Sequence, residues 1–229
     1  MEETGKNPIQ VAERLFQVIE RLAENGPMGI MDLSAELGFH KSTTHRLVTS
    51  LQYMGYIRQD EESLKYALSL KFLEIGSKIL EQTNMASLIH PSLKKLSEQT
   101  GETVHLVRRE GTEAVYIDKV ESTVSSIRMV SRVGSRIPLY CSGVGKALLA
   151  ELPDPEIEDI WNSSEITSLT PYTVTSLSDL MDRIRGVREA GYAMDDEENE
   201  EGVRCIAVSI PDYHKEPVYA LSISAPVSR

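Results

Sequence analysis

Within its first 70 residues the chain runs through three helical patterns and then switches to strand-like alternation, and this order constrains the fold most. Ala12, Leu15, Ile19, Leu22 and Ala23 recur at helical spacing until "ENGPMG" breaks the pattern. Ile30, Leu33, Ala35 and Leu37 form a second, shorter stretch that Gly38 ends. A third runs from about Lys41 to Met54, with Leu47, Val48, Leu51 and Met54 on its apolar stripe. Gly55 follows, where a helix end favours a residue that accepts positive φ. "YIRQ" and "LKYAL" then read as two short strands about the turn "DEES". Three helices and a hairpin, in that order, predict a winged helix-turn-helix DNA-binding domain over residues 1–69.

Leu70, Leu73, Ile75, Ile79 and Leu80 predict a linker helix over residues 70–84. Residues 85–229 mix both periods, which predicts a second domain of α+β class with a sheet and helices beside it. Pro91 is expected in the first turn of a helix running to about Thr100. "TVHLVRR" and "EAVYIDKV" alternate about "EGT" as a hairpin, and "SSIRMV" reads as a third strand. "GVGKALLAEL" and "SLSDLMDRIRGVREAG" read as helices, while "YAMD", "VRCIAVSI" and "VYALSISA" close the domain as strands. At 229 residues, two domains can each bury a core.

The third helix carries the clearest chemistry. Net charge is −11, and the first 75 residues hold 8 Lys and Arg against 11 Asp and Glu. Bulk attraction to nucleic acid or to an anionic membrane is therefore excluded. Yet no acidic residue occurs from Leu37 through Gln59. Removing the apolar stripe leaves Lys41, Ser42, Thr43, His45, Arg46, Thr49, Ser50 and Gln52 on the open side, and Arg58 follows on the hairpin. Arginine pairs with guanine or phosphate, and short hydroxyls bond bases and phosphates at close approach. An acid on this face would meet a phosphate, so the gap in acidic residues is what lets an acidic chain approach double-stranded DNA.

No apolar run reaches the roughly 18 residues of a membrane span, and the polar start "MEETGKNPIQ" lacks a signal-peptide core, so a cytoplasmic protein is expected. Cys141 and Cys205 are too few for a disulfide scaffold and lack zinc-site spacing; neither a metal nor a cofactor is expected. In "RIPLYCSGVGKALLA" a loop with two glycines precedes a helix, leaving the N–H groups of Gly143 and Val144 open to a carboxylate or phosphate. Ser222 and Ser224 share one strand face. Cys205, in an apolar strand, reads as a buried thiol; as a nucleophile it would need a base such as His105 or His214 beside it. The acidic run "DDEENEE" reads as a solvated turn without the spacing of a calcium loop.

"STTHRLVTSLQYMGYIRQD", "GVGKALLA", "GYAMDDEENEEGVRCIAVSI" and "VYALSISAPVSR" together resemble the IclR family of bacterial transcriptional regulators, in family order along nearly the whole chain. The resemblance implies a winged helix-turn-helix, a linker helix and a C-terminal GAF-like effector domain. It also implies homodimers or homotetramers and a small carboxylic-acid effector. The family's ligand-contacting positions fall on Ile137, Gly143, Val144, Asp195, Cys205, Ser222 and Ser224. Gly143 and Val144 would hold the carboxylate, the serines would supply hydroxyls, and Asp195 would accept from the ligand's other end. A repressor reading a palindromic operator follows as the expected function. The family usually continues past "SISAPVSR" with one more helix, which is expected to be missing here. An enzyme whose N-terminal domain only dimerises is the rival, and no nucleophile elbow, HExxH or CxxC supports it.

Overall fold

A computed structural model describes residues 7–82, 84–122, 131–212 and 216–229. They fall into two compact units that divide after Gln82. In the first, α1 (Gln10–Asn25), α2 (Ile30–Leu37) and α3 (Lys41–Tyr53) precede an antiparallel pair, β1 (Ile57–Gln59) with β2 (Tyr66–Leu68), and α4 (Lys71–Gln82) follows. Their core is Val18 and Leu22 of α1, Leu33 of α2, Leu47, Val48 and Leu51 of α3, and Ile57 and Tyr66 of the hairpin. Gly38 ends α2 in the left-handed region at φ 65°, a conformation glycine adopts without strain. At the end of α3, Gly55 (φ 78°) donates to Gln52 and Tyr56 to Leu51, the reversed bonds of a Schellman cap.

Met54, expected on the buried stripe of α3, is exposed; fully buried Thr44 takes the fourth place. The helix ends at Tyr53, so Met54 sits in the cap, whereas Thr44 lies three residues before Leu47 and shares its face. The Thr44 hydroxyl donates back to the His40 carbonyl at 3.3 Å, which satisfies it inside the core.

The second unit has a six-stranded antiparallel sheet in the order β5-β4-β3-β8-β7-β6. Its strands are β3 (Thr103–Glu110), β4 (Glu113–Val120), β5 (Arg136–Pro138), β6 (Ala193–Asp196), β7 (Val203–Ile210) and β8 (Tyr219–Pro226). One face carries α5 (Asn84–Thr100) through Leu93, Val104 and Leu106. The other carries α6 (Gly143–Ala150), α7 (Asp154–Asn162) and α8 (Leu177–Ala190), with Leu148, Leu149, Ile157, Leu180 and Ile184 at the centre of that core. The class is α+β, as the alternating periods imply.

Two further local expectations need correction. Pro91 lies inside α5, not at its start. A helix tolerates one missing N–H when packing repays it, and Ile89, Leu93 and Leu96 keep one apolar face against the sheet across the proline. The glycines of "GVGK" lie within the first turn of α6, not before it. β5 and α7 add to the expected elements; in α7, Ile157, Ile160 and Trp161 do stand at helical spacing, whereas β5 is only three residues long. The "SSIRMV" strand and His214 lie outside the described residues.

Candidate DNA-binding face and effector cavity

α3 buries Thr44, Leu47, Val48 and Leu51 and turns the rest outward. Lys41, Ser42, His45, Arg46 and Thr49 are exposed and Thr43 is half-buried. The His45 ring and the Thr49 hydroxyl lie 3.5 Å apart along one side of the helix. Arg58 is exposed on β1, the first strand of the hairpin. The acid-free stretch is thus a continuous polar surface on one helix, docked to its domain by a separate apolar stripe. Among the described residues no helix is long and apolar enough to cross a membrane.

Ile137, Gly143, Val144, Asp195, Cys205, Ser222 and Ser224 come from five different elements and line a single cavity of about 400 Å³. Strand register brings them together. Ser224 sits between Thr103 of β3 and Cys205 of β7, and Cys205 faces Asp195 of β6. The neighbouring row runs from Lys119 of β4 through His105, Ser222 and Ala207 to Ala193. α6 closes the face at its β6–β7 end, where a Cβ on Gly143 would lie 3.5 Å from those of Ala207 and Asp195. Gly145 is held tighter still: a Cβ there would fall 2.2 Å from the Leu139 carbonyl oxygen.

Ser142 caps α6, its Oγ accepting from the Gly145 N–H at 3.1 Å while its carbonyl accepts from Lys146. That leaves the first two amides, Gly143 and Val144, without an acceptor among the described residues, and both residues line the cavity. Asp195 is buried, and its Oδ1 accepts from the Glu198 N–H at 2.8 Å. Burial raises its carboxyl to about 6, against the opposing pull of Lys146.

The acidic run is not a solvated turn throughout. Glu198 is 1% exposed and paired with equally buried Lys146 of α6, while Thr173 donates to its carbonyl at 2.6 Å. Asn199 and Glu200 line the cavity. Charge density alone suggested water as the partner of this run; the sheet instead turns its middle inward onto α6.

His105, read from the sequence only as a possible base, is the main cavity residue that sequence reasoning did not place there. It occupies an inward position of "TVHLVRR", so strand parity was the available signal. Burial, with Lys119 adding to it, lowers His105 to about 3, which keeps it neutral. Its Nε2 lies 2.8 Å from Ser131 Oγ, and its Nδ1 lies 3.4 Å from both Ser222 Oγ and Ser224 Oγ. Cys205 Sγ is 2.9 Å from Ser224 Oγ, and burial, followed by Asp195, pushes its thiol to about 12. A thiol so hard to ionise, near so weak a base, is no activated nucleophile. Among the described residues no group of three or more His, Cys, Asp or Glu side chains is placed to hold a metal ion.

The chain matches two family models: "IclR helix-turn-helix domain" over residues 11–61 and "Bacterial transcriptional regulator IclR C-terminal" over residues 77–229. It is 38% identical over 222 residues to the HTH-type transcriptional regulator XynR of Escherichia coli, covering 96% of this chain and 88% of that one. The Transcriptional repressor IclR of Escherichia coli is 36% identical over 224 residues, covering 96% and 81%. Among solved structures, the Thermotoga maritima IclR superposes with a TM-score of 0.78 at 32% identity, covering 96% and 88%. With both models matched in order and relatives aligned across almost its whole length, the chain belongs to the IclR family of DNA-binding bacterial transcriptional regulators.

Proposed function

We propose that this regulator is a cytoplasmic repressor that binds a palindromic operator as a homodimer and is modulated by a small carboxylic acid. The observation that carries the reading is the exposed, acid-free face of α3. In that reading Lys41, Ser42, Thr43, His45, Arg46 and Thr49 enter the major groove, while Arg58 meets the backbone from the hairpin. The relative named as a repressor supports the sign of regulation. Leu70, Leu73 and Ile79 about α4, with Val11 and Phe16 of α1, are exposed apolar side chains in the first unit and support pairing there.

The acid would set its carboxylate against the Gly143 and Val144 amides, where the α6 dipole favours negative charge. Asp195, Cys205, Ser222 and Ser224 would meet its remaining atoms, and Ile137 would supply an apolar wall. Such a ligand shifts operator affinity only by binding two arrangements of the dimer unequally. The segment of residues 70–84 is the proposed coupling element.

Selection of bound duplexes from a randomised DNA pool, at near-physiological salt, tests the reading. Enrichment of a palindrome is the expected result. Failure of folded protein to enrich any sequence would overturn it.

A further inference from the structure

The chain leaves α3 through Met54, Gly55 and Tyr56, and donors at the start of α4 meet all three of their carbonyls. Lys71 Nζ donates to the Met54 carbonyl at 2.7 Å, Ser69 Oγ to that of Gly55 at 2.6 Å, and the Ser69 N–H to that of Tyr56 at 2.9 Å. The Lys71 ammonium also lies 4.3 Å from the centre of the Tyr56 ring, and the Phe72 ring packs tilted on the same tyrosine at 5.2 Å. The C-terminal end of a helix leaves carbonyls unpaired and favours a cation, as does an aromatic face; one ammonium here meets both. Ser69 Oγ in turn accepts from the Lys71 N–H at 3.2 Å, so this serine is bonded to both helices' ends. One hydrogen bond acts as a hinge, whereas three bonds and two ring contacts fix rotation as well as distance. Farther along α4, Leu73, Glu74, Ile75 and Lys78 are exposed, and Lys78 pairs with Glu74 of its own helix. The grip of α4 on the end of α3 therefore sits in its first turn.

We propose that Lys71, with Ser69, Tyr56 and Phe72, is a positioning residue: it locks α3 onto the start of α4 and so fixes which separation of operator half-sites the paired chains accept. The proposal rests on the reading above, in which two chains pair through the first unit and read a palindrome with α3. Exposed Leu70, Leu73 and Ile79 put that pairing surface on and beside α4. The angle between the two recognition faces is then set by how each α3 is held to its own α4. One base pair added between the half-sites turns one against the other by about 35° and moves it roughly 3.4 Å. A locked joint cannot follow that turn, and a loosened one can.

The test uses the full chain and the palindrome enriched from the randomised pool, as selected and with its spacer lengthened or shortened by one base pair. Fluorescence anisotropy reads the affinities. The wild type is expected to lose at least about tenfold on the altered spacers, because both half-sites can no longer be engaged at once. Lys71→Met is expected to differ by less than about threefold between spacers, and to lose about three- to tenfold on the selected one, where the held geometry no longer helps. Lys71→Arg, whose guanidinium keeps the charge, the donors and the stacking on Tyr56, is expected to retain the discrimination. Ser69→Ala loosens the same joint without touching Lys71 and is expected to act in the same direction, which keeps the test open if Lys71→Met does not fold. A fall by one common factor on every spacer and on a duplex with a single half-site would make Lys71 a plain helix cap and overturn the proposal. Unchanged discrimination in both Lys71→Met and Ser69→Ala would overturn it as well. So would a wild type that accepts the spacers equally, although its palindrome would leave the operator reading standing. A wild type that enriches no palindrome would overturn the operator reading and the proposal together.

Discussion

At the scale of single residues, Gly143 and Gly145 differ although they stand two positions apart in one helix. A methyl at Gly145 has nowhere to go but into the Leu139 backbone, whereas one at Gly143 makes ordinary contacts with Ala207 and Asp195. Gly145→Ala is expected to lower stability by about 3 kcal/mol, read by denaturant unfolding, and Gly143→Ala by much less. Two buried titratable groups oppose each other in pH. His105 falls to about 3 when folded, so the unfolded chain binds more protons between there and 6.5. Its contribution to stability is complete above 6.5 and is lost as pH falls towards 3. Asp195 rises to about 6, so the folded chain holds the extra proton between 3.8 and that value. Its burial costs stability at pH 7.5, and the cost is relieved as pH falls through 6. Asp195→Asn, which keeps the oxygen that accepts from Glu198, is expected to raise stability at pH 7.5 by about 2 kcal/mol and to steepen acid unfolding. His105→Gln is expected to flatten acid unfolding. Thermal melts from pH 4 to 8 separate the two.

At the scale of elements, the loop after β6 is tied to α6 by a charge pair with almost no access to water. Lys146→Met leaves buried Glu198 with only the exposed Arg183, 3.6 Å from its Oε1, while its other carboxylate oxygen already lacks a partner among the described residues. The expected loss is about 3–5 kcal/mol, and Lys146→Met/Glu198→Gln should recover much of it. A double-mutant cycle in urea measures the coupling. α3 presents the opposite situation, because Arg46 is exposed and its removal leaves the core intact. Arg46→Ala is expected to weaken operator binding by about 1–3 kcal/mol while circular dichroism and melting stay unchanged. The legibility of these two elements differed for a physical reason. α3 advertised its open face because period and charge agree along one helix. The acidic run advertised a charge but not its partner, since Lys146 lies 52 residues away in sequence.

At the scale of the whole molecule, a chain of net charge −11 must bind DNA through few cations. Lys41, Arg46 and Arg58 on the proposed face make three per chain and six in the proposed dimer. Counterion release then limits the slope of log affinity against log salt to about −5. Filter binding or fluorescence anisotropy between 50 and 300 mM salt, about the range over which such slopes are resolved, measures it. A much steeper slope would bring other cations, such as Lys65 of the hairpin turn, into the interface.

The sequence by itself determined the class of the fold, the order of most helices and strands and the free face of α3, because periodicity and charge are properties of neighbouring residues. The family motifs also pointed to seven residues that the structure brings to one cavity. Only the tertiary structure decided what surrounds them. Antiparallel register across β3, β8 and β7 sets His105 beside Ser222 and Ser224, which lie more than 110 residues away in sequence. The turn after β6 sets Glu198 inside against α6, and in the first unit the end of α3 at Tyr53 leaves Met54 outside. Burial is a property of neighbours in space, and it is burial that keeps His105 neutral and makes Asp195 reluctant to ionise.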